Sequence, residues 1–297
     1  IRADDGYTSK LPTAGSEVFN ISRGNSRTSI PAMVAGFPVD FFFMKYYASS
    51  SGNFDSSNRL TGNGFVRTNT KEQAQDSDGY VFDSSVGIGG GGVNWITNDA
   101  QGWLWKKGRG FDVVLFEGNS VQGRDVRHGL GVPPDMMWLK NRTRTAGGGS
   151  DWNVYVRGIT HLNVYGSDPD NYGNNPPTLE LNTSDQANFS MSGTWDHTHP
   201  TSTHFRVGDT YTTNENGSSM QALLFASIDG VSKIGYYAGD GVADRALNFG
   251  FRPKFFLHKR VDGGGSWSLY DDVRGFNKRL ILNSNNAQAS AWEFEQS

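Results

Sequence analysis

The chain has 297 residues, no cysteine and a formal net charge of -3 at pH 7. Without cysteine, neither disulfides nor thiolate-bound metals can stabilise the fold. The small negative charge gives no electrostatic reason to expect nucleic acid as a partner. No apolar run approaches the roughly 18 residues of a membrane span, so we expect no membrane insertion. As a separate expectation, the protein needs no cofactor. The 38 glycines, 19 phenylalanines and 8 tryptophans, without sustained helical periodicity, favour strands and turns.

A short strand that ends at a glycine turn recurs three times and opens each of three repeats. Glycine followed by asparagine or aspartate tolerates positive φ, which is typical of hairpin turns. The predicted strands are 18–21, 113–116 and 234–237.

A ten-residue segment follows in each repeat and aligns without gaps among all three copies. The copies are 36–45, 131–140 and 250–259, and each has glycine, a proline turn, an apolar run and a final lysine. Because the apolar run does not alternate with polar residues, it predicts a strand that is buried on both faces. We expect the final lysine to mark the place where the strand reaches water.

Two further strands complete the pattern downstream of the ten-residue segment. The first is built around an aromatic residue, at 151–155 and 266–270, with Phe54 as a weak counterpart in the first repeat. The second ends in Asn-Thr or Asn-Ser, at 65–70, 178–183 and 279–284. From both strands and the ten-residue segments we predict these structural core positions: Phe42, Met137, Trp138, Trp152, Phe256 and Trp267.

A closing strand ends the first two repeats but not the third. Residues 103–111 align without gaps with 223–231, and no third copy follows. The sequence therefore predicts an open sheet edge, to be paired by the N-terminal segment, by another subunit or by residues outside this chain.

The fold class that follows is all-β with very little helix. We predict three related antiparallel units, a divergent one at 1–110, a second at 111–230 with a loop insertion at 160–178, and an incomplete third at 231–297. Short connections favour their packing as a sandwich-type or pseudo-threefold body.

Residues 195–208 and 222–235 carry the most specific pattern in the chain. They read W-D-H-T-H-P-T-S followed by F-R-V-G, and A-L-L-F-A-S-I-D-G-V-S-K-I-G. Together with 250–253 and 267–270 they resemble repeat domains in tail, fibre and other virion proteins of marine tailed bacteriophages, including cyanophages. The match is good over about 111–290 and poor over 1–110. The resemblance implies a virion structural or receptor-binding role and transfers no catalytic residue.

Three histidines form the best metal-binding candidate. On a strand, His197 and His199 would share a face, and His204 lies close in sequence. Imidazoles suit transition metals. The alternative is that all three are ordinary surface or loop histidines.

The insertion in the second unit is the best glycan-binding candidate. It departs from the repeat and carries aromatic and amide or carboxylate side chains, a combination suited to sugars. The candidates are Tyr165, Asp168, Asp170, Asn171 and Tyr172. The alternative is an insertion in a tolerant loop.

The preferred function is a bacteriophage virion structural protein: a fibre, spike or decoration subunit located in the virion. Its expected partners are other virion proteins, further copies of itself with a trimer favoured, and host surface glycans. One alternative is a carbohydrate-binding module of a secreted bacterial protein. Another is a glycan-degrading tailspike enzyme, but the sequence offers no way to pair two carboxylates for that chemistry, so we expect no enzyme.

Overall fold

The computed structural model describes residues 11–25, 29–49, 52–77, 80–89, 96, 99–160, 164, 175–189, 192–242 and 245–291. Within these ranges the regular structure is almost entirely antiparallel β-sheet, which confirms the predicted fold class and a sandwich-type architecture. The described helical elements are one α-helical turn, Ser192–Trp195, and two 3-10 turns, Gly15–Glu17 and Ala146–Gly148. No helix in the described part of the chain is long and apolar enough to cross a membrane.

The first unit is a six-stranded sheet with a small two-stranded sheet. The sheet orders are β1-β8-β3-β4-β5-β6 and β2-β7. The strands are β1 (Phe19–Arg23), β2 (Met33–Val34), β3 (Phe41–Tyr46), β4 (Asp55–Asn58), β5 (Gly64–Arg67), β6 (Gln75–Asp76), β7 (Gly87–Ile88) and β8 (Ala100–Trp105).

The second unit repeats this arrangement with five strands and a second two-stranded sheet. The orders are β13-β12-β11-β15-β9 and β10-β14. The strands are β9 (Phe111–Glu117), β10 (Arg124–Arg127), β11 (Met136–Asn141), β12 (Trp152–Val156), β13 (Leu179–Glu180), β14 (His204–Val207) and β15 (Ser219–Phe225).

The third unit is a four-stranded sheet with the order β16-β17-β18-β19. Its strands are β16 (Phe255–His258), β17 (Ser268–Asp271), β18 (Lys278–Ile281) and β19 (Ala289–Ser290).

The ten-residue segments form β3, β11 and β16, and the first two pair with closing strands in one common register. Phe41 lies opposite Trp105 in β8, and Met136 lies opposite Phe225 in β15. Both pairs join positions that the two gapless alignments make equivalent, Phe41 with Met136 and Trp105 with Phe225. The sequence repeat is therefore a repeat of strand pairing as well.

One apolar cluster, here called the shared core, takes side chains from all three units. Buried members include Phe41 and Phe43 of the first unit, Trp138 and Trp152 of the second, and Trp267 of the third. Burial of a single such side chain contributes about 1.5–3 kcal/mol. The shared core is thus the main apolar contact that holds the units together.

Five of the six predicted core positions are buried, and one prediction was wrong. Trp138, Trp152 and Trp267 lie in the shared core, whereas Phe42 and Met137 lie in the separate outer clusters of their own units. Phe256 is only half-buried. The reason is that the small sheets β2-β7 and β10-β14 cover Phe42 and Met137, whereas no such sheet covers β16 among the described residues.

Three equivalent backbone hydrogen bonds link the units in a ring. In each bond the donor lies five positions after the asparagine that ends a strand of one unit. The acceptor lies two positions after the final lysine of the ten-residue segment in another unit. The bonds run from Ala74 N–H to Arg142 O (2.6 Å), from Ala187 N–H to Val261 O (2.8 Å) and from Gln288 N–H to Tyr47 O (2.8 Å). Unit one contacts unit two, unit two contacts unit three, and unit three contacts unit one.

In the first two repeats the final lysine does not mark an exit to water, which corrects the sequence prediction, whereas Lys259 of the third is half-buried. Lys45 and Lys140 are fully buried. The ammonium group of Lys140 donates to the backbone oxygens of Lys71, at 2.9 Å, and Ser150. Burial lowers the pKa of Lys140 to about 7 and that of Lys45 to about 8. Hydrogen bonds to backbone carbonyls, in one case a carbonyl of the preceding unit, make this burial possible.

Candidate functional site

The edge of β16 is where the third unit departs from the other two. In the first unit β3 lies between β4 and β8, and in the second unit β11 lies between β12 and β15. Among the described residues, β16 pairs only with β17. The edge strand predicted from the sequence is therefore present.

The strand that opens the other repeats does not form in the third. β1 pairs with β8, and β9 pairs with β15, so each opening strand depends on a closing strand. Residues 233–240 are assigned to no strand, and the pairing nearest to them is a single bridge between Ile228 and Ser232. The predicted strand 234–237 is thus wrong, because none of the described strands is placed to pair with this segment as β8 and β15 do with β1 and β9.

A groove occupies the space between residues 232–237 and β16. It has a volume of about 1290 Å³, and we call it the third-unit groove. Its floor includes Phe255 and Leu257 of β16 together with Trp105 and Phe225, the last residues of the two existing closing strands. The groove is therefore a place where apolar side chains at the margin of the shared core face solvent.

Aromatic contacts fix the floor of the groove. The ring of Phe255 lies 5.7 Å from that of Phe19 and 6.0 Å from that of Trp105, between centroids, and the planes of Phe255 and Trp105 are perpendicular. Phe225 packs 5.2 Å from Trp138. Edge-to-face and tilted contacts of this kind stabilise a defined arrangement of rings. The floor is consequently a preformed apolar surface.

The rim of the groove combines exposed tyrosines with positive charge. Tyr236 is 38% and Tyr237 45% exposed. The charged side chains among the described lining residues are six basic ones and a single aspartate, Asp262, which lies 2.8 Å from a guanidinium nitrogen of Arg260. The basic residues are Lys106, Lys233, Arg252, Lys254, Lys259 and Arg260. This imbalance favours an occupant with acidic groups, although the whole chain is slightly negative.

Two titratable groups at the end of β16 are affected by burial. Burial lowers the pKa of Lys259 to about 8, while Asp185 acts in the opposite direction. Burial also lowers the pKa of His258, and the charge of Arg279 adds to that effect. Both shifts favour the neutral forms, so this end of the groove is less well solvated than an exposed strand end.

The three candidate metal-binding histidines lie in different local environments and make different contacts. His197 lies in a turn with φ of 54°, so the premise that it shares a strand face with His199 was wrong. His197 Nδ1 lies 2.9 Å from Asn175 Oδ1, and His199 Nδ1 lies 2.9 Å from the hydroxyl of Tyr155. His204 starts β14. Among the described residues, no group of three or more histidines and carboxylates is placed to hold a metal ion.

The candidate glycan-binding residues lie outside the residues that the structure describes. These are Tyr165, Asp168, Asp170, Asn171 and Tyr172. Their glycan-binding role stays a prediction.

Sequence reasoning found the open edge but missed the charge of the groove. A signal was available, because Arg252, Lys254, Lys259 and Arg260 fall within nine consecutive residues in and directly after the third ten-residue segment. The contribution of Lys106 and Lys233 could not be seen in the same way, since they come from segments far apart in the chain.

The fold and the groove define an all-β repeat protein in which, among the described residues, the repeat strand of the third unit lies at a sheet edge. The chain belongs to the DUF7483 family, described as a domain of unknown function, and the family match covers residues 23–297. No curated protein and no solved structure matches the chain.

Proposed function

We propose that the chain is a structural subunit of a bacteriophage virion, a fibre, spike or decoration protein that works by assembly with other virion proteins. The observation that supports this most is the third-unit groove, where apolar floor residues such as Phe255 and Leu257 lie beside an edge strand. A preformed apolar surface next to unpaired backbone groups is suited to binding another polypeptide. The resemblance of residues 195–235 to phage virion repeats adds the virion setting.

The contacts that join the three units suit a protein that bears mechanical load. Hydrogen bonds connect the three units in a ring, and the shared core joins them at the centre. A body closed in this way has few independent hinges, which suits a particle component. Assembly as a homo-oligomer, with a trimer favoured, and attachment to host glycans belong to the same proposal.

The role we propose is binding rather than catalysis. The buried carboxylate of Asp271 in the third unit has a structural role. It binds the guanidinium of Arg274 at 2.7 Å, and the side chains of Asp271 and Arg274 are 0% and 1% exposed. Asp271 also accepts a hydrogen bond of 2.9 Å from Gln101 of the first unit. Its place in the molecule is therefore a contact between units.

Immunogold electron microscopy of purified particles from the phage that encodes the chain tests this proposal. An antibody raised against the chain should label one defined part of the particle, the tail, a fibre or the head surface. Particles without label, together with antigen found only in the culture fluid, would overturn the virion assignment.

Two further assays separate the alternatives. A carbohydrate-binding module should retain a defined oligosaccharide on a glycan array without any particle association. A tailspike enzyme should release reducing ends from host polysaccharide, and this activity should disappear when one carboxylate is replaced. Under our proposal the purified protein releases none.

A further inference from the structure

We propose that the third-unit groove receives one extended apolar segment of a partner virion polypeptide, which binds antiparallel to β16 as a donated closing strand. The inference deepens the proposed function and rests on it for the identity of the partner. It takes its geometry from the first two units, where β8 and β15 occupy the corresponding place.

The register of the donated strand follows from the two existing closing strands. In both units the strand's last residue pairs with the first residue of the repeat strand: Trp105 with Phe41, and Phe225 with Met136. The corresponding residue of β16 is Phe255. An aromatic residue of the partner should therefore lie opposite Phe255, and the residues before it should run antiparallel along β16.

The side-chain pattern of the donated strand follows from the same comparison. β8 and β15 have glutamine, a small residue, a bulky apolar residue, leucine and an aromatic residue at corresponding positions. In the order of the chain these are Gln101-Gly102-Trp103-Leu104-Trp105 and Gln221-Ala222-Leu223-Leu224-Phe225. Alternate positions face the shared core, as Leu223 and Phe225 do. The bulky and aromatic positions of the partner would thus fill the groove above Leu257 and Phe255.

The backbone of β16 has the phase that this pairing needs. The N–H of Asp272 donates to the backbone oxygen of Lys254 at 3.0 Å, so residues at even positions along β16 direct their backbone groups toward β17. In an antiparallel pair the intervening residues direct theirs to the other side. Phe255 and Leu257 therefore present hydrogen-bonding groups to the groove, as Phe41 and Phe43 do toward β8.

The positive charge of the groove indicates which residues should flank the apolar run of the donated strand. The lining residues include six basic side chains and one aspartate, and Lys254 is exposed at the rim. Acidic residues beside the apolar run would be attracted to this rim and would favour the intended partner over a basic one. The partner segment is therefore apolar at its centre and acidic at its ends.

A second copy of the chain is a poorer source than a different polypeptide. Among the described residues, the pattern of glutamine to aromatic residue occurs in β8 and β15, and each of these strands already lies between two neighbours. A second copy could donate either strand only by opening its own sheet. A partner with a free segment has no such cost.

A synthetic peptide with the sequence of residues 217–227 of this chain, extended by two glutamates at each end, is the probe. Its fluorescence polarisation should show saturable binding to the purified protein, and a peptide of the same composition in scrambled order should bind about tenfold more weakly or not at all. Replacing the terminal glutamates with lysines should also weaken binding, and this difference should shrink as salt is raised.

Variants of the protein locate the binding site. Leu257→Asp places a carboxylate on the floor of the groove and should weaken binding of the probe by about tenfold or more. Phe255→Ala, a milder change, keeps the test usable if the aspartate variant fails to fold. The control is Leu60→Asp, at an apolar side chain in the first unit that is 59% exposed, which should bind like the wild type.

Three results would overturn the inference. The first is equal affinity for the ordered and scrambled peptides. The second is unchanged affinity in a folded Leu257→Asp or Phe255→Ala variant. The third is a wild-type oligomer that Leu257→Asp converts to monomers, since the groove would then hold a second copy. Peptide binding without antibody labelling of particles would leave the strand-binding groove in place and refute the virion role alone.

Discussion

The indole nitrogen of Trp267 donates a hydrogen bond of 2.9 Å to the backbone oxygen of Glu180, in the preceding unit. The same relationship exists one repeat earlier, where Trp152 donates to the backbone oxygen of Arg67 at 2.8 Å. Both indole rings are buried in the shared core. Each tryptophan therefore both fills the core and joins its own unit to the one before it.

Replacing Trp267 with phenylalanine should remove the hydrogen bond to Glu180 while it keeps an aromatic ring. Phe54 occupies the corresponding position of the first unit, so the ring itself fits this repeat. The backbone oxygen of Glu180 would lose a buried donor, and the free energy of unfolding should fall by about 1–3 kcal/mol in addition to the loss from the smaller ring. Urea denaturation followed by fluorescence measures the change.

Trp152→Phe is the matched variant for this prediction and should lose a similar amount. Phe54→Leu is the control, because it changes a core aromatic residue at the equivalent position without removing an indole N–H. An unchanged midpoint for both tryptophan variants would show that these bonds do not hold the units together.

The buried repeat lysines predict how stability depends on pH. The pKa of Lys140 is about 7 in the folded chain, below its usual 10.5. Between these values the unfolded chain binds more protons than the folded chain, so this group makes the free energy of unfolding rise with pH. The slope from one site is at most about 1.4 kcal/mol per pH unit. Lys140→Met should reduce the rise between pH 7 and pH 9, measured by urea denaturation at both values.

Lys45→Met is the companion variant, since burial lowers the pKa of Lys45 to about 8. It should also flatten the rise, mostly above pH 8. If either variant showed a steeper rise than the wild type, the lysine would be stabilised in its charged form and the assignment of burial as the main cause would be wrong.

Removing one member of the buried ion pair in the third unit should be costly. Arg274→Met would leave the carboxylate of Asp271 buried with only Gln101 and a backbone N–H as described donors. Loss of one partner of a buried pair typically destabilises a protein by about 3–5 kcal/mol. Thermal or urea denaturation of the variant measures the loss.

The double variant Asp271→Asn with Arg274→Met tests the reason for that loss. It removes the buried charge as well as its partner, so it should recover a large part of the stability. A double variant as unstable as Arg274→Met alone would point to packing around Arg274 rather than to the uncompensated carboxylate.

The sequence was sufficient to predict the parts of the fold that depend on local patterns. Gapless alignment of the ten-residue segments gave the positions of β3, β11 and β16, and the closing-strand alignment identified Trp105 and Phe225 as equivalent residues, which pair equivalently in the structure. Strands made of repeated apolar runs are recognisable because the same side chains must be buried each time.

The errors arose where contacts between units decide the outcome. Lys140 is buried because the backbone carbonyls of Lys71 and Ser150, from two different segments, accept its hydrogen bonds. No local sequence pattern predicts these two contacts. Phe256 is half-buried because no described two-stranded sheet covers its face of β16, as β2-β7 and β10-β14 cover Phe42 and Met137. The ring of hydrogen bonds between units also joins segments far apart in the sequence, so it could not be predicted from spacing.

Hydrogen exchange at β16, measured residue by residue by NMR, tests the central claim most directly. In the free protein the amides of Phe255 and Leu257 should exchange faster than those of Phe41 and Phe43, their equivalents in β3, which pair with β8. Saturation with the glutamate-flanked peptide should slow Phe255 and Leu257 and leave Phe41 and Phe43 unchanged. Two results would contradict the claim that this edge of β16 binds a donated strand. One is full protection of the Phe255 and Leu257 amides in the free monomer, and the other is an unchanged exchange rate of these amides on saturation with the peptide.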